Sequence, residues 1–161
     1  MRPVVTYRAG DAGDLEIISR FVLNVCERDL FPLFEVPGRE TLRAIYALDS
    51  LQAQFEAGGS FFLAEVEGEV VGAVASRLPA HVFLLYVDAP YRGLGLGASL
   101  LHRMTMLNAE AKHITLNANL DAVTFYETLG FRADGPERVE QGLRFLPMVL
   151  EPRLNRAGHG P

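Results

Sequence analysis

Between residues 85 and 99 the chain runs Leu85-Tyr86-Val87-Asp88-Ala89-Pro90-Tyr91-Arg92-Gly93-Leu94-Gly95-Leu96-Gly97-Ala98-Ser99. An apolar run ends, a proline-bearing turn follows, and glycines open a stretch in which Leu96, Leu100, Met104 and Leu107 recur at helical spacing. A strand that hands over directly to a helix asks for a sheet with helices packed on it. A helix start presents unpaired N–H groups and a partial positive charge. Glycines let a phosphate approach that backbone closely. The segment therefore suits a pyrophosphate, with Arg92 as an additional cation.

Glycines alone do not say which pyrophosphate. Gly93-Leu94-Gly95-Leu96-Gly97-Ala98 also fits G-x-G-x-x-A, the dinucleotide fingerprint. That fingerprint needs a β-α-β unit and an acidic residue about 20 positions on, at the end of the next strand. The next apolar run ends near Asn117 without one, and no lysine in the loop completes a G-x-x-x-x-G-K-[ST] pattern. A nicotinamide or flavin site and a purely structural glycine turn stand as alternatives.

Periodicity extends the pattern both ways. Residues 4–8 form a first strand. Asp11 offers an N-cap with Asp14 three residues on, and Leu15, Ile18, Val22 and Val25 carry a helix to about residue 27. Residues 28–38 hold two prolines and are expected as loop. A second helix spans 40–57 and ends at Gly58-Gly59. Strands 61–67 and 70–78 flank Gly68-Glu69, a hairpin signal. Further elements are a strand at 81–88, a helix at 94–111, a strand at 113–117, a short helix at 121–129, and strands at 131–139 and 144–150. The expected fold is α/β (α+β), a mixed, mostly antiparallel sheet of about seven strands flanked by four helices. One domain over residues 1–151 would precede a flexible polar tail, 152–161.

Composition narrows the function. The 161 residues are 49% hydrophobic and 22% charged, as expected of one soluble globular domain. Fifteen Lys and Arg face 20 Asp and Glu, for a net charge of -5, and no basic stripe suggests nucleic acid. The single cysteine, Cys26, has no internal partner and sits in an apolar helical pattern. That fits a small buried hydrophobe in a reducing cytoplasm. No signal peptide and no membrane-spanning run is expected. The four histidines show no metal-ligand spacing, so no metal is expected.

Arg92-x-x-Gly95-x-Gly97, placed just after the strand ending Leu85-Tyr86-Val87, resembles the coenzyme signature of the GCN5-related N-acetyltransferase (GNAT) superfamily. A second block agrees, Asn119-x-x-Ala122-x-x-Phe125-Tyr126-x-x-x-Gly130-Phe131. The ending, Gly135-Pro136-Glu137 and then Gly142-Leu143-Arg144-Phe145-x-Pro147-Met148, is similar to a bacterial branch of the superfamily with no assigned substrate. The resemblance spans residues 4–150. It implies acetyl-CoA as co-substrate and an amine acceptor as partner. It implies that strand 81–88 splays from strand 113–117, with a bulge near residues 85–87. The main-chain groups of Leu85 and Val87, with Tyr86 between them, would meet the pantetheine arm. The N–H groups of Arg92, Gly93, Leu94, Gly95, Leu96, Gly97 and Ala98 would hold the pyrophosphate. Asn119, Phe125 and Tyr126 would lie near the pantetheine, although Asn119 equally suits a helix cap. Dimers are common in the superfamily, so a homodimer is among the assemblies it allows.

Amine acetylation needs a neutral nucleophile, a stabilised oxyanion and a proton for the departing thiolate. The resemblance implies direct attack in a ternary complex. A main-chain N–H near Val87 is the expected oxyanion donor. Tyr126 matches the family's tyrosine near the coenzyme sulfur and is the candidate acid; its plain alternative is a core tyrosine. His81 is the candidate base. It precedes Val87 by six residues, so strand alternation puts it on the face of Leu85 and Val87. An exposed turn histidine, with ordered water as proton carrier, is the alternative. Glu65 is a weaker candidate. Residues 28–38 would frame the acceptor, with Glu27, Asp29 and Glu35 attracting a cationic amine and Phe31 and Phe34 as walls; a solvated loop anchored by two aromatics is the alternative. Arg77, Arg132 and Arg144 would suit an acidic acceptor instead, and nothing in the sequence ranks them. A non-catalytic acyl-CoA-binding regulatory module is the alternative function.

Overall fold

A computed structural model describes residues 2–151, and the expected tail, 152–161, lies outside the described residues. The strands are β1 (Thr6–Ala9), β2 (Ser60–Val66), β3 (Glu69–Arg77), β4 (His81–Val87), β5 (Ile114–Asn119), β6 (Arg132–Ala133), β7 (Arg138–Glu140) and β8 (Leu143–Leu150). They form one sheet ordered β1-β2-β3-β4-β5-β8-β6, with β7 also paired to β8. All pairs are antiparallel except β4 with β5. The α-helices among the described residues are α1 (Leu15–Asp29), α2 (Val36–Ile45), α3 (Leu48–Glu56), α4 (Leu96–Leu107) and α5 (Val123–Thr128).

Two apolar layers follow from the alternation along the strands. On one face Leu100, Leu101 and Met104 of α4 pack with Val74, Val82, Ile114, Leu116 and Met148. On the other, Leu15, Ile18 and Val22 of α1 pack with Leu42, Leu51, Leu63, Ala73 and Leu84. Each fully buried Leu or Ile contributes about 1.5–3 kcal/mol over leaving it in water. The start of the first helix matches the expected cap: Asp11 accepts from Gly13 N–H at 2.9 Å, and Asp14 accepts from Asp11 N–H at 2.8 Å.

Four expectations need correction. The helix expected over 40–57 is two, because the chain breaks between α2 and α3. Ser19 Oγ takes the Tyr46 carbonyl at 2.7 Å and Ala47 turns extended, so the helical ladder cannot continue. The loop expected over 28–38 is largely helical: α1 runs to Asp29, a 3₁₀ turn spans Phe31–Leu33, and α2 begins at Val36. Both prolines sit in first turns, where a missing N–H costs nothing. The strand expected over 131–139 is divided into β6 and β7. The bulge on β4 falls at Phe83 rather than near residues 85–87, since Leu84 pairs with Ala75 while Val82 pairs with the next residue, Ser76.

Candidate functional site

β4 and β5 are paired only at His81 with Thr115 and at Val82 with Leu116. Beyond Val82 they part, as the resemblance implied. The Asp88 N–H donates to Val71 O at 2.9 Å, towards β3. Alternation then turns the main-chain groups of Leu85 and Val87 into the gap. Val87 O accepts Arg92 Nε at 3.0 Å, so its N–H and both groups of Leu85 are what the open edge presents.

Behind the gap stands the start of α4. Gly95 occupies the N-cap position with φ 84°, and no side chain caps the helix. Leu96, Gly97 and Ala98 thus offer N–H groups without an intrahelical acceptor. Gly93 also has positive φ, 79°, and a β-carbon on either Gly93 or Gly95 would meet nothing within 4 Å. These glycines answer a backbone requirement and leave open space in front of the N–H groups, which is the room a pyrophosphate needs. Leu96 is buried beneath the loop, and Leu94 packs against the same core. Gly97 is a close approach, since a β-carbon there would stand 3.4 Å from the ring of Phe125. Arg92 does not extend towards the loop's open side: its guanidinium pairs with Asp29 at 2.6 Å. Asp29 also meets Arg28, which reaches Asp88 at 2.5 Å. Four charges thus tie the end of α1 to the turn after β4.

The gap opens into a cavity of about 700 Å³ between β4, β5, α2 and the β7–β8 turn. Tyr126 and Asn119 line it. Among the described residues the Tyr126 hydroxyl has no hydrogen-bond partner, and burial pushes its pKa up to about 12. Its ring stacks edge-on with Phe125 and Phe131, at centroid distances of 5.2 and 5.9 Å. Asn119 precedes a 3₁₀ turn but makes no capping hydrogen bond, so the capping alternative fails.

His81 also lines the cavity, on the face opposite to the one expected. The Phe83 bulge resets the alternation: Leu85 and Val87 pack on the α4 side, while Phe83, Leu84 and Tyr86 pack on the α1 side. His81 joins the latter, with Nδ1 at 2.8 Å from Thr115 Oγ1. Burial, then the charge of Arg77, lowers its pKa to about 4. Tyr86 is a wall, not an edge group. Its hydroxyl donates to Tyr46 OH at 3.1 Å, and Tyr46 OH donates to the carbonyl of bulged Phe83 at 3.1 Å. Sequence reasoning missed Tyr46, because its role depends on the break after α2 and on the bulge.

The expected acceptor loop contributes differently. Leu30 and Phe34 line the cavity, whereas Phe31 is core, 5% exposed, beneath the Arg43 guanidinium. None of Glu27, Asp29 and Glu35 is on the wall, and Asp29 is held by arginines. Glu65 is paired with Arg8 at 2.9 Å, away from the cavity. A clasp walls the side away from β4: Thr41 Oγ1 lies 2.6 Å from Gln141 O, and Gly38 and Gly142 touch backbone to backbone. A β-carbon on Gly142 would stand 2.5 Å from Gly38 N.

No helix among the described residues is long and apolar enough to cross a membrane. Residues 24–152 match the model of the acetyltransferase (GNAT) domain family. N-acetyltransferase family 8 member 2 of Rattus norvegicus is 28% identical over 131 residues, which are 66% of this chain and 58% of that protein. An N-alpha-acetyltransferase of Sulfurisphaera tokodaii is 32% identical over 94 residues, 45% of this chain and 56% of that one. The chain thus spans little more than half of these relatives. A GCN5-related N-acetyltransferase from Rhodopseudomonas palustris superposes with a TM-score of 0.77 at 20% identity, covering 94% of this chain and 98% of its own. An N-acetyltransferase (PaiA) from Thermoplasma acidophilum, solved with coenzyme A, gives 0.75 at 15% identity, covering 92% and 99%. With the parted strands and the glycine-opened helix behind them, these matches establish that the chain belongs to the GNAT acetyltransferase family.

Proposed function

We propose that this chain transfers an acetyl group from acetyl-CoA to a primary amine by direct attack in a ternary complex. The observation that carries the reading is the parting of β4 from β5 beyond Val82, with the uncapped start of α4 at its far end. The pantetheine arm would pair along Leu85 and Val87 as an added strand does. The N–H groups from Gly93 to Ala98 would hold the pyrophosphate.

The protein supplies three functions to the reaction. A main-chain N–H of the open β4 edge faces the carbonyl oxygen, where charge grows as the amine attacks. The Tyr126 hydroxyl, free of other partners, donates a hydrogen bond to the sulfur as the C–S bond breaks. With a pKa near 12 it stabilises the thiolate mainly as a donor, and solvent completes the protonation. His81 is neutral at pH 7. In the tautomer that serves as base, Nδ1–H donates to Thr115 Oγ1 and Nε2 keeps its lone pair. That lone pair takes, through ordered water in the cavity, the proton the nitrogen sheds once it is bonded to the acetyl carbon, because His81 stands several residues along β4 from the open edge. Because His81 stays unprotonated well below neutrality, the acid limb of the rate profile belongs to the acceptor amine.

The test is an amine-panel assay that follows free thiol release, beside a calorimetric titration with coenzyme A. Release that depends on both acetyl-CoA and an amine supports the reading. Coenzyme binding without transfer to any amine would favour a non-catalytic acyl-CoA-binding module, and no binding would end both.

A further inference from the structure

The arginines near the cavity are in different states. Arg144 lines it but is paired with Glu137 at 2.9 Å, and Arg132 lies off the wall, paired with Glu151 at 3.4 Å. Arg77 lines it from the end of β3, in register with His81. Among the described residues Arg77 has no ion-pair or hydrogen-bond partner. Arg77 is exposed at the cavity's end, and its charge is the second cause of the depressed basicity of His81. Gln54 is also on the wall, and its side-chain amide has no hydrogen-bond partner among the described residues. The one carboxylate on the wall is Glu140, which is taken by Arg138 at 2.6 Å. The same cavity wall carries apolar Leu42, Ile45 and Phe83.

A guanidinium on a cavity wall, beside an amide and with no acid of its own, is matched by a carboxylate that takes two parallel N–H donors. We propose that the acceptor is a small amino carboxylate, its carboxylate docked on Arg77 and Gln54 and its apolar body along Leu42, Ile45 and Phe83. Its amine then points along β4 to the open edge. The Thr41–Gln141 clasp walls the side away from β4, which suits a small molecule rather than a continuous polypeptide running past the site. The proposal rests on the acetyl-transfer reading above and deepens it.

The test compares matched acceptors whose amine and carboxylate stand at opposite ends: 4-(2-aminoethyl)benzoate with phenethylamine, and 6-aminohexanoate with 6-aminohexanamide and hexylamine. For at least one set, kcat/KM should favour the carboxylate by roughly tenfold or more, the size of one charge-assisted hydrogen bond. In Arg77→Gln that ratio should fall to near one through KM, in Arg77→Lys it should be intermediate, and in Arg132→Gln it should persist. Equal turnover with and without the carboxylate in wild type overturns the proposal. If coenzyme A binds but no amine is acetylated, the transfer reading fails and the subsite is judged by binding alone. Then 3-phenylpropionate should raise the melting temperature of wild type but not of Arg77→Gln, and 3-phenylpropionamide should raise neither. No shift with the acid in wild type overturns the subsite as well.

Discussion

Along its β3 edge, β4 is paired at six positions from His81 to Val87; along its β5 edge it is paired at two. Both edges belong to interior strands of one sheet, so the difference is not that of a frayed margin. β5 leaves β4 yet remains paired with β8 at six positions from Ile114 to Asn119. The sheet therefore splits into two wings, each fully laddered on its own side. The α4-side core runs beneath both wings, with Val74 and Val82 from one and Leu116 and Met148 from the other. On the opposite side the α1 core packs on the β3–β4 wing, and the cavity opens beside the gap. An interior gap is stable when each wing is satisfied elsewhere and the exposed main-chain groups find other partners. Arg92 on Val87 O is one such partner in this chain.

The most severe way to break the comparison is to spoil the turn behind the gap. Gly95→Val puts a branched side chain at φ 84°, costing about 1–2 kcal/mol of left-handed strain while covering the α4 N–H groups. Coenzyme A affinity, read by calorimetry, should fall about a hundredfold, the loss of one or two charge-assisted hydrogen bonds. A folded variant that keeps its affinity would show that the loop holds nothing. Next in size is Tyr126→Phe. Its kcat should drop roughly tenfold to a hundredfold with coenzyme affinity kept. The melting temperature should hardly move, because the lost hydroxyl has no partner among the described residues. Unchanged turnover would return Tyr126 to the core.

The laddered edge should respond in the opposite sense. Tyr46→Phe removes a donor to Phe83 O and an acceptor for Tyr86 OH. Stability should fall by about 1–3 kcal/mol, or roughly 2–4 °C in Tm for each kcal/mol at this chain length. A variant as stable as wild type would mean the bulge is held without that pin. pH tests the zipped end of the other edge. His81 has a folded pKa of about 4, depressed by burial first and then by Arg77, below the 6.5 of a free histidine. Between those values the unfolded chain binds more protons, so stability is full above pH 6.5 and is lost as pH falls towards 4. Urea unfolding at pH 7 and pH 4.5 should show the loss, and His81→Gln should diminish it. An equal loss in the variant would assign it to other groups.

What the sequence revealed and what it hid divide along the same line. The glycine turn, the Asp11 cap and the hairpin after β2 are local events, written in residues a few positions apart, and each stands where periodicity and turn chemistry put it. The parting of β4 and β5 came from the resemblance; no local pattern marks it. The bulge was misplaced by two residues because it depends on how β3 meets β4, not on β4 alone. That shift moved His81 to the other face, since a single inserted residue inverts every alternation beyond it. Tyr46 went unnoticed for the same reason. Its partners Ser19, Phe83 and Tyr86 are 27 or more residues away, and nothing short of the folded chain brings them together.

The smallest effect concerns Arg92, whose guanidinium the helix-start reading offered to the pyrophosphate and the structure ties to Asp29. Desolvation opposes ionisation of Asp29, yet the hydrogen bond and charge of Arg92, then those of Arg28, hold its carboxyl below the usual range. The pair is largely solvated, 49% and 25% exposed, so it competes only weakly for the guanidinium. Asp29→Asn should leave Arg92 freer to meet an anion in front of α4 and raise coenzyme A affinity about two- to fivefold, the range of an exposed ion pair. The gain should shrink as salt rises from 50 to 500 mM, because screening weakens both the old contact and the new one. Affinity that falls instead would show that Arg92 serves the open edge through the Val87 carbonyl, with Asp29 holding it there, and that the charge cluster positions the turn rather than competing with the ligand.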